Sequence, residues 1–442
     1  MAGCFDFRGK IVAPKLIWLD DRFLSDQKVK IGLDGEILEI GENVFGDEVI
    51  PLADTVIVPG FVNAHSHAFH RYLRGHTGIG HNEADSFWKW REAMYALVEN
   101  IDYSNFKELC KGTFEEMLSA GITTVGEFHY VHHGSTKFEL DGAVFEAARE
   151  AGIRLVLIET LYMRAGFTST TVEPKQWRFG SSFEEFLENL ETLKRKCSKN
   201  STLAVAGKFS KIIFIFYFVA HSTRAVDPES IQKLWNFAVQ ENMAFHVHLE
   251  EQPKELQDCM DSLHRLRPSE LILDKIPPPR DNLTAVHCTY TQRSELDEFL
   301  KSGVKICICP LTEGFLGDGI PEINEKDEIC LGTDCNNRIC FLEEMRWVTY
   351  CQNMKNNKRN ACGLDSVKLL KVATVNGARS LKLEKVVGEF KPGFQFDFVA
   401  FDIKSKKLNH FENENQILDA LVFAGGNQEV RAVGVGGVGR FY

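Results

Sequence analysis

Between about residues 57 and 381, amphipathic helical segments alternate with short apolar runs that end in polar side chains. An apolar run of a few residues bounded by turn formers fits a strand buried on both faces, and strands alternating with helices build parallel β/α units. The clearest unit is a helical stretch at 106–120, stopped by Gly121, before the run 122–128; a second is 144–151, stopped by Gly152, before 153–159. The pattern continues with a helix at 230–242 before a strand at 245–249, a strand at 283–288, a helix at 295–302 stopped by Gly303 before 304–309, and a strand at 328–333. The residues at these strand ends are His65, His129, Glu159, His248, His287, Pro310 and Asp334, all but the proline polar. In a closed (β/α)8 TIM barrel the strand ends face the active site, so the pattern predicts an α/β fold of that kind.

The flanks have a different texture. Short strands are expected at 15–19, 29–33, 36–40 and 49–51, with Asp34-Gly35 as a hairpin turn, and again in the tail at 396–401, 420–424 and 430–433. A chain of 442 residues exceeds what one core fills. The expected division is therefore 1–57 and 382–442 as the two parts of a small β-sandwich, flanking a barrel at 58–381. One stretch fits poorly. Residues 208–218 are apolar and aromatic without alternation, where a strand would run into His221, and read either as a long buried strand or as an insertion.

With 44% hydrophobic and 26% charged residues the chain has the profile of a folded globular protein, and a formal net charge of -11 disfavours nucleic acid and anionic membrane as partners. A small molecule is the expected partner, and a homodimer is compatible with the sequence. The beginning of the chain lacks a basic segment followed by an apolar stretch, and the longest apolar run, 212–220, is too short to span a bilayer as a helix, so a cytoplasmic location is expected. The 12 cysteines are scattered without Cys-x-x-Cys spacing and are expected to be reduced.

The chemistry-bearing signal begins at Pro59-Gly60-Phe61-Val62-Asn63-Ala64-His65-Ser66-His67, an apolar strand ending in His-x-His. Residues two apart on a strand point the same way, so both imidazoles can reach one ion. A second His-x-His, His246 and His248, ends a later strand, and Gly332-Thr333-Asp334 ends another in a carboxylate. Three neutral imidazoles and one carboxylate suit a borderline divalent ion, zinc or ferrous iron, with a position left for water. Spacing does not separate His246 from His248 as the third ligand, and His287 is a further candidate.

These motifs resemble the amidohydrolase superfamily in its deaminase branch, over nearly the whole chain. Longer strings resemble the formimidoylglutamate deiminase family within it: 64–69, Asp85-Ser86-Phe87-Trp88-Lys89-Trp90-Arg91-Glu92-Ala93-Met94-Tyr95, His221-Ser222-Thr223-Arg224-Ala225-Val226, Glu251-Gln252-Pro253, Cys309-Pro310-Leu311-Thr312-Glu313 and Leu316-Gly317-Asp318-Gly319-Ile320. The resemblance implies one divalent ion, zinc or iron, held by His65, His67, His248 and Asp334, with Asp334 also counted as catalytic. It further implies Glu251 moving protons beside the ion and His287 orienting or deprotonating the attacking water. Arg91, Tyr130, His221 and Arg224 match positions associated with substrate. The implied reaction converts N-formimino-L-glutamate to N-formyl-L-glutamate and ammonia. Two positions depart from the family: His70 stands where Gln is usual, and Cys335 where Ser follows the metal Asp.

The remaining histidines read blandly. His129, His132 and His133 are expected to be solvated or hydrogen-bonded rather than ligating, His76 and His81 to lie in a Gly-rich loop, and Trp88 and Trp90 to serve packing. Two other functions are compatible with the same motifs: a deaminase of a purine, pterin or triazine ring, which has no need of the Arg91 and Arg224 pair, and a catalytically silent protein on the same scaffold.

Overall fold

The computed structural model of the chain describes residues 3–76, 86–203, 215–409, 411 and 413–442. Eight parallel strands follow one another in chain order: Phe61–Ser66, Ile122–His129, Arg154–Leu161, Ile215–Ala220, Phe245–Leu249, Leu283–His287, Lys305–Ile308 and Ile329–Leu331. The first four pair into one sheet and the last four into another. The sheets meet at both edges. Ser66 bridges Asp334, joining the first strand to the end of the eighth, and Ser222 bridges His248, joining the end of the fourth to the fifth. At the first seam the His67 and Asp334 amides donate to the Asp334 and His65 carbonyls, each at 3.0 Å, and at the second the His248 amide donates to the His221 carbonyl at 3.1 Å.

The helices start and stop where local chemistry dictates. Tyr103–Ser119 begins at Asp102, whose side chain accepts from the Asn105 amide in a capping box; Pro228–Gln240 begins at Asp227, which caps the Ser230 amide, with a proline in its first turn. Glu139–Ala151 ends at Gly152, which takes φ 85°, a left-handed conformation that costs glycine little. Each helix buries one stripe, as Phe106, Cys110, Phe114 and Met117 do along the first of these.

The two termini build one nine-stranded sheet, not a pair of stacked sheets. Val49–Pro59 lies in its middle, between Ile11–Leu19 and Phe398–Asp402, and leads through Gly60 into the first parallel strand. The sheet curls: its end hairpin, Lys28–Ile31 with Ile37–Gly41, reaches the run into Phe398–Asp402, since the Ile37 amide donates to the Phe394 carbonyl and the Phe396 amide to that of Gly35. The curl encloses a core of its own that includes Val29, Ile57, Phe396 and Phe398. A buried ion pair ties this sheet to the parallel one: Arg154, at the start of the third strand, donates through Nε and Nη2 to Asp397 at 3.1 and 2.9 Å.

One further expectation changes, and one open reading is decided for part of its length. Residues 420–424, expected as a strand, lie in the helix Asn415–Ala424, which sets Leu418, Leu421 and Val422 into the main core and stacks Phe423 on Tyr350 of the helix Phe341–Asn356. An apolar run that short carries no period of its own, and packing decides. In the segment 208–218, Ile215 to Phe218 belong to the fourth parallel strand, in register with Val156 to Glu159, so this part is not an insertion. The rest, 208–214, lies outside the described residues, as does His81. No helix among the described residues is long and apolar enough to cross a membrane.

Candidate active site

The seams place the polar strand ends together. His65 comes from the first strand and His67 from just past its end, His248 from the fifth, and Asp334 from the turn after the eighth. His248 Nε2 lies 3.1 Å from His65 Nε2 and 3.3 Å from His67 Nε2. Asp334 Oδ1 lies 3.6 Å from His65 Nε2 and 3.3 Å from His67 Nε2. The outward nitrogens of two rings are fixed: Nδ1 of His67 donates to the Phe128 carbonyl at 2.8 Å and Nδ1 of His248 to the His221 carbonyl at 3.0 Å. A carbonyl only accepts, so each Nδ1 carries a proton and, in the neutral ring that a metal ligand needs, each Nε2 turns a lone pair inward. Burial lowers the His65 pKa to about 3, which keeps that ring neutral. Lone pairs converging at these distances fit a divalent ion at their centre, with backbone carbonyls holding the rings behind it.

His246 is not part of this group. Its Nε2 contacts the Ser380 carbonyl at 3.0 Å, so of the second His-x-His it is His248 that joins the cluster.

Around the cluster lies a pocket whose lining includes Arg91, Tyr130, His221, Arg224, Glu251 and His287. His287 Nε2 is 3.8 Å from Glu251 Oε1 and 4.0 Å from Asp334 Oδ2, and its Nδ1 is 3.3 Å from Glu313 Oε1. Burial works against a charged ring here, but Glu251, the hydrogen bond to Glu313 and Asp334 outweigh it and raise the His287 pKa to about 10. Burial raises the Glu251 carboxyl, against the pull of His287. Burial also raises Asp334, but hydrogen bonds with His65 and His67 outweigh it and hold that carboxyl well below its usual range. The backbone is strained at the same places: Glu250, His287 and Asp334 take φ values of 52°, 74° and 44°. Such conformations in non-glycine residues persist where the surroundings hold them.

On the pocket wall, Arg91 donates from Nε to the Tyr95 hydroxyl at 2.7 Å and from Nη2 to that of Tyr162 at 3.2 Å. Nε of Arg224 is buried without a hydrogen-bond partner, and no carboxylate lies within ion-pair distance of its guanidinium among the described residues. His70 is hydrogen-bonded through Nε2 to the Tyr130 hydroxyl at 2.8 Å, with the edge of Trp90 against its ring at 4.8 Å. Trp90 thus lines the pocket. Cys335 Sγ is 3.1 Å from the Thr312 hydroxyl. His129, His132 and His133 are buried, not solvated, and all three are hydrogen-bonded.

Glu313 and Asp318 carry no role in the sequence reading although both lie in strings quoted above. Glu313 backs His287 and also accepts the Cys309 amide at 2.9 Å. Asp318 is buried beside Glu251, accepts from Gln252 Nε2, and is raised to about 10 by burial first and Glu251 next, so it is a neutral acid near pH 7.

Residues 56–438 match the model of the family described as Amidohydrolase family. The chain belongs to the amidohydrolase family, and it is a hydrolase acting on carbon–nitrogen bonds. It is similar to formimidoylglutamate deiminase of Pseudomonas aeruginosa, 31% identical over 434 residues that cover 95% of this chain and 92% of that one. It is also similar to 5'-deoxyadenosine deaminase of Methanopyrus kandleri, 26% identical over 97% of this chain and 91% of that one. Among solved structures, an amidohydrolase from Brucella melitensis superposes with a TM-score of 0.84 at 28% identity, covering 97% of this chain and 94% of that one.

Proposed function

We propose that this chain is a metal-dependent deiminase that hydrolyses N-formimino-L-glutamate to N-formyl-L-glutamate and ammonia, on a (β/α)8 barrel spanning residues 58–381. Two edge-joined sheets of four parallel strands support the barrel reading. The observation that carries the substrate reading is Arg224, a pocket guanidinium with a buried Nε and no carboxylate partner among the described residues. Arg91, on the same wall and held by Tyr95 and Tyr162, adds a second positive charge for a substrate bearing two carboxylates. The likeness to a formimidoylglutamate deiminase along nearly the whole chain supports the same substrate.

His65, His67, His248 and Asp334 would hold the ion, whose geometry of three imidazoles and one carboxylate favours zinc, with ferrous iron also suited. Such an ion acidifies water and polarises the carbon–nitrogen double bond. His287, kept charged by its carboxylate neighbours and fixed from behind by Glu313, would orient the water beside the ion. Glu251, beside His287, would take the water's proton and pass it to the leaving nitrogen. Tyr130 and His221 line the pocket with their rings 5.3 Å apart and would position the chain of the substrate.

The test is ammonia release by the zinc-loaded protein from a panel of N-formimino-L-glutamate, adenosine-type nucleosides and other ring substrates. Turnover confined to the acidic amidine supports the proposal. Turnover of a ring substrate instead replaces it with the ring-deaminase reading, which the departures at His70 and Cys335 leave open to the pocket.

A further inference from the structure

The second strand, the helix Glu139–Ala151 and the third strand form one βαβ unit, and a buried set of metal-type donors lies inside it. Successive strand residues point to opposite faces. Phe128 packs against His65 and His248 in the site, so His129 faces the helix, as does its register partner Glu159 on the neighbouring strand. Asp141 from the helix and His132 from the loop complete the group, and all four residues are at most 2% exposed.

We propose that His129, His132, Asp141 and Glu159 form a second divalent-cation site, suited to zinc, that clamps this βαβ unit. His132 Nε2 is 2.9 Å from the Thr160 carbonyl, which can only accept, so in the neutral ring Nδ1 carries the lone pair. That lone pair faces Asp141 Oδ1 at 2.9 Å and Glu159 Oε2 at 3.3 Å, and His129 Nε2 is 3.1 Å from the same Asp141 oxygen. Neither oxygen of Glu159 makes a hydrogen bond, and both are buried. The far oxygen of Asp141 is taken by Asn189 Nδ2 at 2.7 Å, which leaves Oδ1 turned inward.

Donors bound to one zinc at about 2.0–2.2 Å lie roughly 3.0–3.6 Å apart, a spacing that Asp141 Oδ1 approaches with His132 Nδ1 at 2.9 Å and His129 Nε2 at 3.1 Å, while Glu159 Oε2 approaches on the His132 side at 3.3 Å. Two carboxylates also balance a double positive charge, which removes the cost of burying them. Tyr130 sits between His129 and His132 in the chain, so an ion gripping both flanks fixes the loop that presents its ring to the pocket. The competing arrangement is a charged His132 beside a protonated Glu159, with no ion.

The full-length protein is loaded with zinc, freed of loose ion by gel filtration and assayed for metal content as wild type, as the double variant His65→Ala/His67→Ala, and as Glu159→Gln. The site predicts about two ions in the wild type and about one in each variant, with the ion left in the double variant at Asp141 by anomalous scattering. A double variant with no ion, or a Glu159→Gln protein with as much zinc as the wild type, overturns it. Should the double variant not be recovered folded, the Glu159→Gln count decides alone. An ion in the wild type that survives the loss of His65 and His67 supports this site even if the proposed catalytic ion fails.

Discussion

Nδ1 of His287 lies 3.3 Å from Oε1 of Glu313, which enters from the short helix Pro310–Leu316 and holds the ring from the side away from the pocket. The relationship makes the protonation of His287 a property of two strand ends at once, and Glu313 is one of the groups that raise it.

Glu313→Gln keeps an acceptor for the Cys309 amide but removes the charge. A hydrogen bond to a charged group is worth about 1.5–3 kcal/mol, or roughly one to two pH units. The His287 titration, followed by histidine NMR, is expected to move to lower pH by about that amount, with kcat reduced roughly tenfold or more. An unmoved titration would remove Glu313 from the account.

Glu255 is raised to about 7, chiefly by burial, with Arg224 pulling the other way. A carboxyl whose folded pKa lies above its ordinary value binds its proton more tightly when folded. Its contribution is therefore full below about pH 4.5 and is lost as pH rises through 7. Relative to Glu255→Gln, the wild type is expected to lose up to roughly 3 kcal/mol of unfolding free energy between about pH 4.5 and 8. Urea unfolding of the two proteins across that range checks this; parallel curves would contradict it.

Arg224→Met keeps most of the apolar stem and removes the fork. Losing one contact between charged groups of about 1.5–3 kcal/mol lowers kcat/KM for an acidic substrate roughly ten- to a hundredfold. Because Arg224 has no carboxylate partner among the described residues, metal content and thermal stability are expected to stay near wild type. A fall in stability alongside activity would mark it as structural instead.

Asp397→Asn breaks the buried pair with Arg154, both side chains 2% exposed, and leaves a guanidinium without its counter-charge. Loss of one partner of such a pair costs about 3–5 kcal/mol. Equilibrium unfolding should show a loss of that size, and a change below about 1 kcal/mol would mean that the terminal sheet is held by its apolar contacts alone.

Much of the site was legible because strand ends are legible: His65, His67 and Asp334 each close an apolar run, and that is where parallel strands place chemistry. Spacing alone left His246 and His248 open, since both share one face of a strand, and the resemblance chose His248; in the structure His246 turns to the Ser380 carbonyl, 134 residues away. Glu313 and Asp318 were in view but without roles, because what they do depends on contacts with His287 and Gln252, far off in sequence. The helix Asn415–Ala424 was misread for a related reason, as its apolar residues gain a period only against the helix Phe341–Asn356. The burial of His129 and His132 was hidden in the same way, since Asp141 reaches them only once the helix Glu139–Ala151 folds back on its strands.

The most direct test of the account is ammonia release from N-formimino-L-glutamate by the zinc-loaded protein, alongside His67→Ala/Asp334→Ala. The account predicts about one ammonia and one N-formyl-L-glutamate per substrate consumed, with turnover lost by at least roughly a thousandfold in the double variant. No ammonia from this substrate, by a folded protein carrying its ion, would contradict it.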